Sequence, residues 1–72
     1  MYKIGAFSRL SQVPIRTLRY YDQIGLLVPA QVERPSGYRG YAAEQLETIN
    51  RILVFKDLGL ALDEIRTLRL SR

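Results

Sequence analysis

Seventy-two residues make one domain at most, and a chain of this size buries only about 60% of its unfolded surface, which excludes a large enzyme core. Apolar residues at 47%, charged residues at 25%, five Tyr and two Phe describe a chain that folds rather than a disordered one. Zero Cys and zero His exclude disulfides, zinc fingers, thiolate nucleophiles and the usual general base, so no catalytic residue, metal or cofactor is expected here. No apolar stretch approaches the roughly 20 residues that span a bilayer, and no secretory signal pattern opens the chain, so a cytoplasmic address without membrane contact is expected.

The net charge of +4 is unevenly placed. Residues 1 to 41 carry six cations (Lys3, Arg9, Arg16, Arg19, Arg34, Arg39) against two anions (Asp22, Glu33), whereas residues 42 to 72 carry five of each. Nine of the eleven cations are Arg, whose planar fork suits phosphate and guanine. The pattern points to a polyanionic partner, although a basic surface also serves solubility.

In chain order, Ile4, Phe7 and Leu10 recur at helical spacing, and Ser11-Gln12-Val13-Pro14 interrupts them, so a first helix is predicted to end near Ser11. Between Pro14 and Ile24 no further Gly or Pro intervenes, and Gly25 suits the left-handed position past a helix end. Two helices within about residues 4–24, joined by a short turn, have helix-turn-helix spacing, which plain helical hairpins share. Across about residues 28–41, Gln31-Val32-Glu33 and Tyr38-Arg39-Gly40-Tyr41 flank the turn Arg34-Pro35-Ser36-Gly37 and predict a two-stranded β-hairpin. Short, polar strands suggest a flap lying against the helices, a wing. Leu46, Ile49, Ile52, Leu53 and Phe55 mark a third helix over about 42–58, closed by Gly59. Leu62, Ile65 and Leu68 mark a fourth over about 61–72. Its stripe has no terminator, which predicts a chain cut short within a longer protein.

The second helix presents a distinctive face. At about 100° per residue, with Arg16 at zero, Tyr20 falls near 40° and Arg19 near 300°, while Leu18 and Tyr21 fall near 200° and 140°. One side is therefore cationic and aromatic and the other can be buried. Such a face can lay Arg on phosphates or guanine, with Ile15, Arg16 and Thr17 of the first turn closest to the bases. Arg and Tyr also cover ordinary helix surfaces, and the adjacent basic hairpin is what favours the DNA reading.

Lys3-Ile4-Gly5-Ala6-Phe7-Ser8, followed by the run from Arg16-Thr17-Leu18-Arg19-Tyr20-Tyr21-Asp22 to Gln23-Ile24-Gly25-Leu26-Leu27, resembles the start of the MerR family of bacterial transcription regulators. The likeness continues through Ser36-Gly37-Tyr38-Arg39-Gly40-Tyr41 and Leu53-Val54-Phe55-Lys56-Asp57-Leu58-Gly59-Leu60 and covers essentially the whole chain. It implies a mainly α winged helix-turn-helix: four helices with a two-stranded wing between the second and third, normally followed by a dimerisation helix and an effector-sensing region. Carried onto matching positions, it makes Arg16, Thr17, Arg19, Tyr20 and Tyr21 groove or adjacent phosphate contacts, and Tyr38, Arg39 and Tyr41 wing contacts. Ile15, by its place in the first turn, and Arg34, by its place near the hairpin tip, join the recognition-helix and wing candidates. Arg9, Arg51 and Lys56 are weaker candidates for the DNA backbone. The implied partners are double-stranded promoter DNA, RNA polymerase indirectly, and a second copy of the chain through the later helix.

Four positions depart from the family pattern. Pro14, Ala42 and Ala61 occupy N-cap positions where the family commonly has Ser or Thr, and a missing cap typically costs about 1 kcal/mol. Gly40 replaces a usually large wing residue and is expected to loosen the strand. The function expected is that of a homodimeric regulator bending and untwisting a near-palindromic promoter operator. The alternatives are a small architectural or excisionase-like DNA-binding factor, or a basic helical module that docks an acidic protein.

Overall fold

A computed structural model of the chain describes residues 1–33 and 36–70. Its elements run β1 (Tyr2–Lys3), α1 (Ile4–Ser11), α2 (Ile15–Gln23), β2 (Gln31–Glu33), β3 (Tyr38–Tyr41), α3 (Glu44–Asp57) and α4 (Leu62–Leu70). Every predicted helix and the hairpin are present. The sheet, however, has three strands in the order β1-β3-β2, all antiparallel, rather than two. Tyr2 pairs with Tyr41 and Lys3 with Gly40 on one side, and Gln31 pairs with Gly40 on the other. A two-residue strand carries no legible alternation, which is why β1 is missed in the sequence. Gly40 consequently sits buried in the central strand, flanked by a partner on each side.

The core gathers Phe7 and Val13 from α1 and the turn after it, Leu18 and Tyr21 from α2, Leu26 and Leu27 from the following loop, Tyr41, Ile49, Ile52 and Ile65. The Phe7 and Tyr41 rings stack with centroids 4.3 Å apart and planes 13° from parallel, joining the sheet to α1. Tyr41 is therefore a core residue at 0% exposure, because the register that pairs it with Tyr2 turns its ring inward. This corrects its expected role as a wing contact.

The turn between α1 and α2 is closed by its own side chains. The Val13 N–H donates to the Ser8 carbonyl at 3.2 Å, and Ser8 Oγ donates back to the Val13 carbonyl at 2.6 Å. The buried Ser11 Oγ accepts a second contact from the Val13 N–H at 3.3 Å. Gln12 adopts the left-handed conformation at φ 59°, the position past a helix end that glycine usually fills. Pro14 stands just outside α2 as its N-cap.

Helix α2 ends with Gly25 at φ 73° and the Leu26 N–H donating to the Tyr21 carbonyl at 2.8 Å, a Schellman-type closure. Arg66 of α4 adds to it, with Nη1 donating to the Ile24 carbonyl at 3.1 Å. A cation at that end also suits the helix dipole. The N-termini of α3 and α4 lack a hydroxyl cap, yet neither is bare. Gln45 Oε1 accepts the Ala42 N–H at 2.9 Å, and Glu64 Oε1 accepts the Ala61 N–H at 2.8 Å. The Glu64 bond is the backward half of a capping box, from the third residue of α4. At α3 the N-cap is Ala43 rather than the expected Ala42, and Gln45, the second residue of the helix, makes the same bond three residues back to Ala42.

Candidate nucleic-acid interface

The turn built on Ser8 and Val13 holds α1 and α2 as a helix pair, and burial of Leu18 and Tyr21 fixes the rotation of α2. That rotation leaves Arg16, Arg19 and Tyr20 on the exposed side, Tyr20 at 49%. Ile15 is also exposed, and Thr17 is half-buried. The three residues whose angles predict one cationic and aromatic face therefore share that face. Gln23, seven residues after Arg16 and so at nearly the same angle, is exposed as well. The same angular arithmetic that groups Arg16, Arg19 and Tyr20 places it there.

Tyr21 is 1% exposed and belongs to the core. Its ring lies at the buried angle that its position on α2 predicts, so its expected role as a groove contact is corrected. Its hydroxyl oxygen instead accepts a hydrogen bond from Lys56 Nζ at 3.4 Å. That contact spans 35 residues of sequence and brings the ammonium of α3 beside the recognition-helix candidate. Tyr20 and Tyr21 stand with ring centroids 6.4 Å apart in a tilted arrangement, the first facing outward and the second inward.

On the wing, the backbone places Tyr38 opposite Glu33 and Arg39 opposite Val32 in the β2–β3 ladder. The expected contacts of the Tyr38 and Arg39 side chains, and of Arg34 as a whole, lie outside the described residues. Among the weaker candidates, Arg9 is exposed in the last turn of α1. Arg51 pairs with Glu47 one turn earlier on α3 at 3.4 Å, with both side chains more than 70% exposed. A pair so solvated contributes little and leaves the guanidinium available for exchange onto a phosphate. The anions near α3's start, Glu44 and Glu47, lie at the favourable end of its dipole.

Among the described residues, no group of three or more His, Cys, Asp or Glu is placed to hold a metal ion. No helix among them is long and apolar enough to cross a membrane.

A helix pair with one exposed Arg and Tyr face, followed by a hairpin paired into a small sheet, defines a winged helix-turn-helix DNA-binding domain. The chain belongs to the MerR HTH regulatory protein family, whose profile matches residues 2–71. It is 42% identical over 69 residues to the transcriptional regulator BrlR of Pseudomonas aeruginosa, covering 96% of this chain and 26% of that protein. It is 43% identical over 67 residues to the multidrug-efflux transporter 2 regulator of Bacillus subtilis, covering 93% of this chain and 24% of that protein. Among solved structures, it superposes on the N-terminal part of the Bacillus subtilis multidrug transporter activator, MtaN, with a TM-score of 0.91 and 39% identity, covering 100% of this chain and 67% of that one. It also matches a chain of the cryo-EM EcmrR–DNA complex in EcmrR-RPo, with a TM-score of 0.92 and 43% identity over 96% of this chain and 26% of that one. The chain thus spans about a quarter of the length of each of these two curated relatives. It is the DNA-binding domain of a transcription regulator of this family.

Proposed function

We propose that the domain reads a promoter operator as a homodimer, with α2 in the major groove and the wing on the flanking backbone. The observation that carries this reading is the shared exposure of Arg16, Arg19 and Tyr20 on the face of α2 opposite buried Leu18 and Tyr21. Arg16 lies in the first turn, where side chains of a groove-bound helix come nearest the base edges. Arg19 and Lys56 flank it as phosphate ligands, and Arg39 supplies the wing's charge. Two half-sites about one helical turn or a multiple apart would make the operator near-palindromic. Bending and untwisting the spacer between promoter elements then lets RNA polymerase engage both, at a deformation cost met by the added contacts. The dimer forms through a helix following this domain in the longer protein, and the regulator works in the bacterial cytoplasm without a cofactor in this domain.

Fluorescence anisotropy against a palindromic promoter spacer from the gene's own neighbourhood and against random duplex, each across a salt series, tests the reading. Tighter binding to the spacer and a steep negative dependence on salt are expected. Arg16→Ala should cost roughly 1 to 3 kcal/mol on the spacer and relax its base preference. Arg39→Ala should weaken both duplexes alike and flatten the salt slope by about one unit. Equal losses on both duplexes for Arg16→Ala would remove it from base readout. No binding to either duplex at low salt would favour the protein-docking alternative.

A further inference from the structure

We propose that Gln45 is the positioning residue of the wing, a role that rests on the DNA-binding reading above. Its side-chain amide is shared between three backbone groups at the two feet of the hairpin. Oε1 accepts the Ala42 N–H at 2.9 Å and the Ala30 N–H at 3.2 Å, while Nε2 donates to the Val28 carbonyl at 2.7 Å. Val28 and Ala30 lie in the chain leading into β2, and Ala42 directly follows β3. One side chain in the first turn of α3 therefore fastens both the entry and the exit of the wing.

The amide's orientation is set by its partners, because its oxygen meets two N–H donors and its NH₂ meets a carbonyl. No other side chain of this length supplies both an acceptor and a donor at its tip. A glutamate could accept the two N–H groups but would set an oxygen against the Val28 carbonyl. The other holds on the hairpin are β1, which pairs with β3 over two residues, Tyr41, which anchors the exit strand in the core, and buried Pro29 on the entry side. Val28 and Ala30, on either side of Pro29, are exposed, and the Gln45 contacts are the described side-chain hydrogen bonds that fix their backbone. Releasing them leaves β2 free to swing about β3 and enlarges the set of wing orientations that DNA must select from.

Glu64 provides the control, since it caps α4 by the same backward bond, to the Ala61 N–H, without touching the hairpin's feet. If Gln45 were only a helix cap, the two residues would behave alike.

The test compares Gln45→Ala with Glu64→Ala in the whole chain by amide hydrogen exchange and by anisotropy on random duplex DNA. For Gln45→Ala, exchange at Ala30, Ala42 and the β2–β3 ladder should accelerate roughly 3- to 10-fold relative to α1 and α2, the loss expected of one to two modest hydrogen bonds. Glu64→Ala should leave those hairpin rates in step with the rest of the chain. DNA affinity should fall roughly 3- to 10-fold with Gln45→Ala, and this loss should shrink sharply when Arg39→Ala is already present. Gln45→Glu, which keeps the acceptors and loses the donor, is read in the same way if the alanine variant does not fold. Hairpin exchange that stays in step with α1 and α2, or losses from Gln45 and Arg39 that simply add, would overturn the proposal. Failure of the unsubstituted chain to bind any duplex would instead overturn the DNA reading, while the exchange rates still decide whether Gln45 holds the hairpin.

Discussion

Replacing the two alanines that precede α3 and α4 by serine separates two helix ends that look equivalent in sequence. At α4, the Ala61 N–H is already taken by Glu64, and the Ala61 carbonyl accepts the Ile65 N–H at 3.0 Å, the normal opening bond of a helix. A serine hydroxyl at 61 would meet the Glu64 N–H, one of the first-turn donors that helical geometry leaves without an intrahelical partner. It would complete a Ser-x-x-Glu box and should contribute about 0.5 to 1 kcal/mol. At α3, the first turn is tighter: the Gln45 N–H donates to the Ala42 carbonyl at 2.9 Å, and the Leu46 N–H to the Ala43 carbonyl at 3.1 Å. A hydroxyl at 42 would compete with a bond already made, so its gain should be under about half as large. For a domain of this size, 1 kcal/mol moves the thermal midpoint by about 4–8 °C. Ala61→Ser should therefore raise the midpoint by about 2–8 °C, and Ala42→Ser by a clearly smaller amount. Both midpoints are read by circular dichroism on the same day in the same buffer, and the double substitution should be close to additive. A rise for Ala42→Ser that equals or exceeds the one for Ala61→Ser would refute the reasoning.

Three further outcomes follow from individual side chains. Gln12→Gly should stabilise the chain by about 0.5–1 kcal/mol in denaturant melts, because φ 59° suits glycine and strains a residue with a Cβ; an unchanged or lower midpoint would mean that the Gln12 side chain contributes more than its strain costs. Arg66→Gln should lower stability by roughly 0.5 kcal/mol through the weakened cap on the Ile24 carbonyl, and added salt should narrow the gap to the unsubstituted chain if the dipole contributes. Tyr41→Ala should remove roughly 3–5 kcal/mol and leave the chain largely unfolded at 37 °C, whereas Tyr20→Ala should change stability little and weaken DNA binding; near-equal thermal midpoints for the two would contradict the assignment of one ring to the core and the other to the surface.

Most of the fold was legible from local signals. Gly25 and Gly59 mark helix ends where they adopt the left-handed conformation, and the angular spacing of Arg16, Arg19 and Tyr20 against Leu18 and Tyr21 separates the exposed from the buried side of α2. These features depend on chirality and the 3.6-residue period, which any stretch of chain carries with it. The Ala-x-x-Gln and Ala-x-x-Glu registers that supply the backward bonds at α3 and α4 are equally present in the sequence.

Other features exist only once distant segments meet. Tyr38 and Tyr41 look alike within the wing motif, yet pairing of Tyr41 with Tyr2, across 39 residues, and stacking on Phe7 place its ring in the core. Lys56 becomes a neighbour of α2, Arg66 a cap for the same helix and Gln45 a clamp on the hairpin through contacts 35, 42 and up to 17 residues apart. The sequence by itself determined where helices begin and end and which face of α2 carries charge, because those follow from residue-by-residue propensity and period. Burial of Tyr41, and the choice of polar side chains that hold the reading elements in place, arise only in the folded chain, because side-chain partners are chosen by packing, and packing is a property of the whole chain.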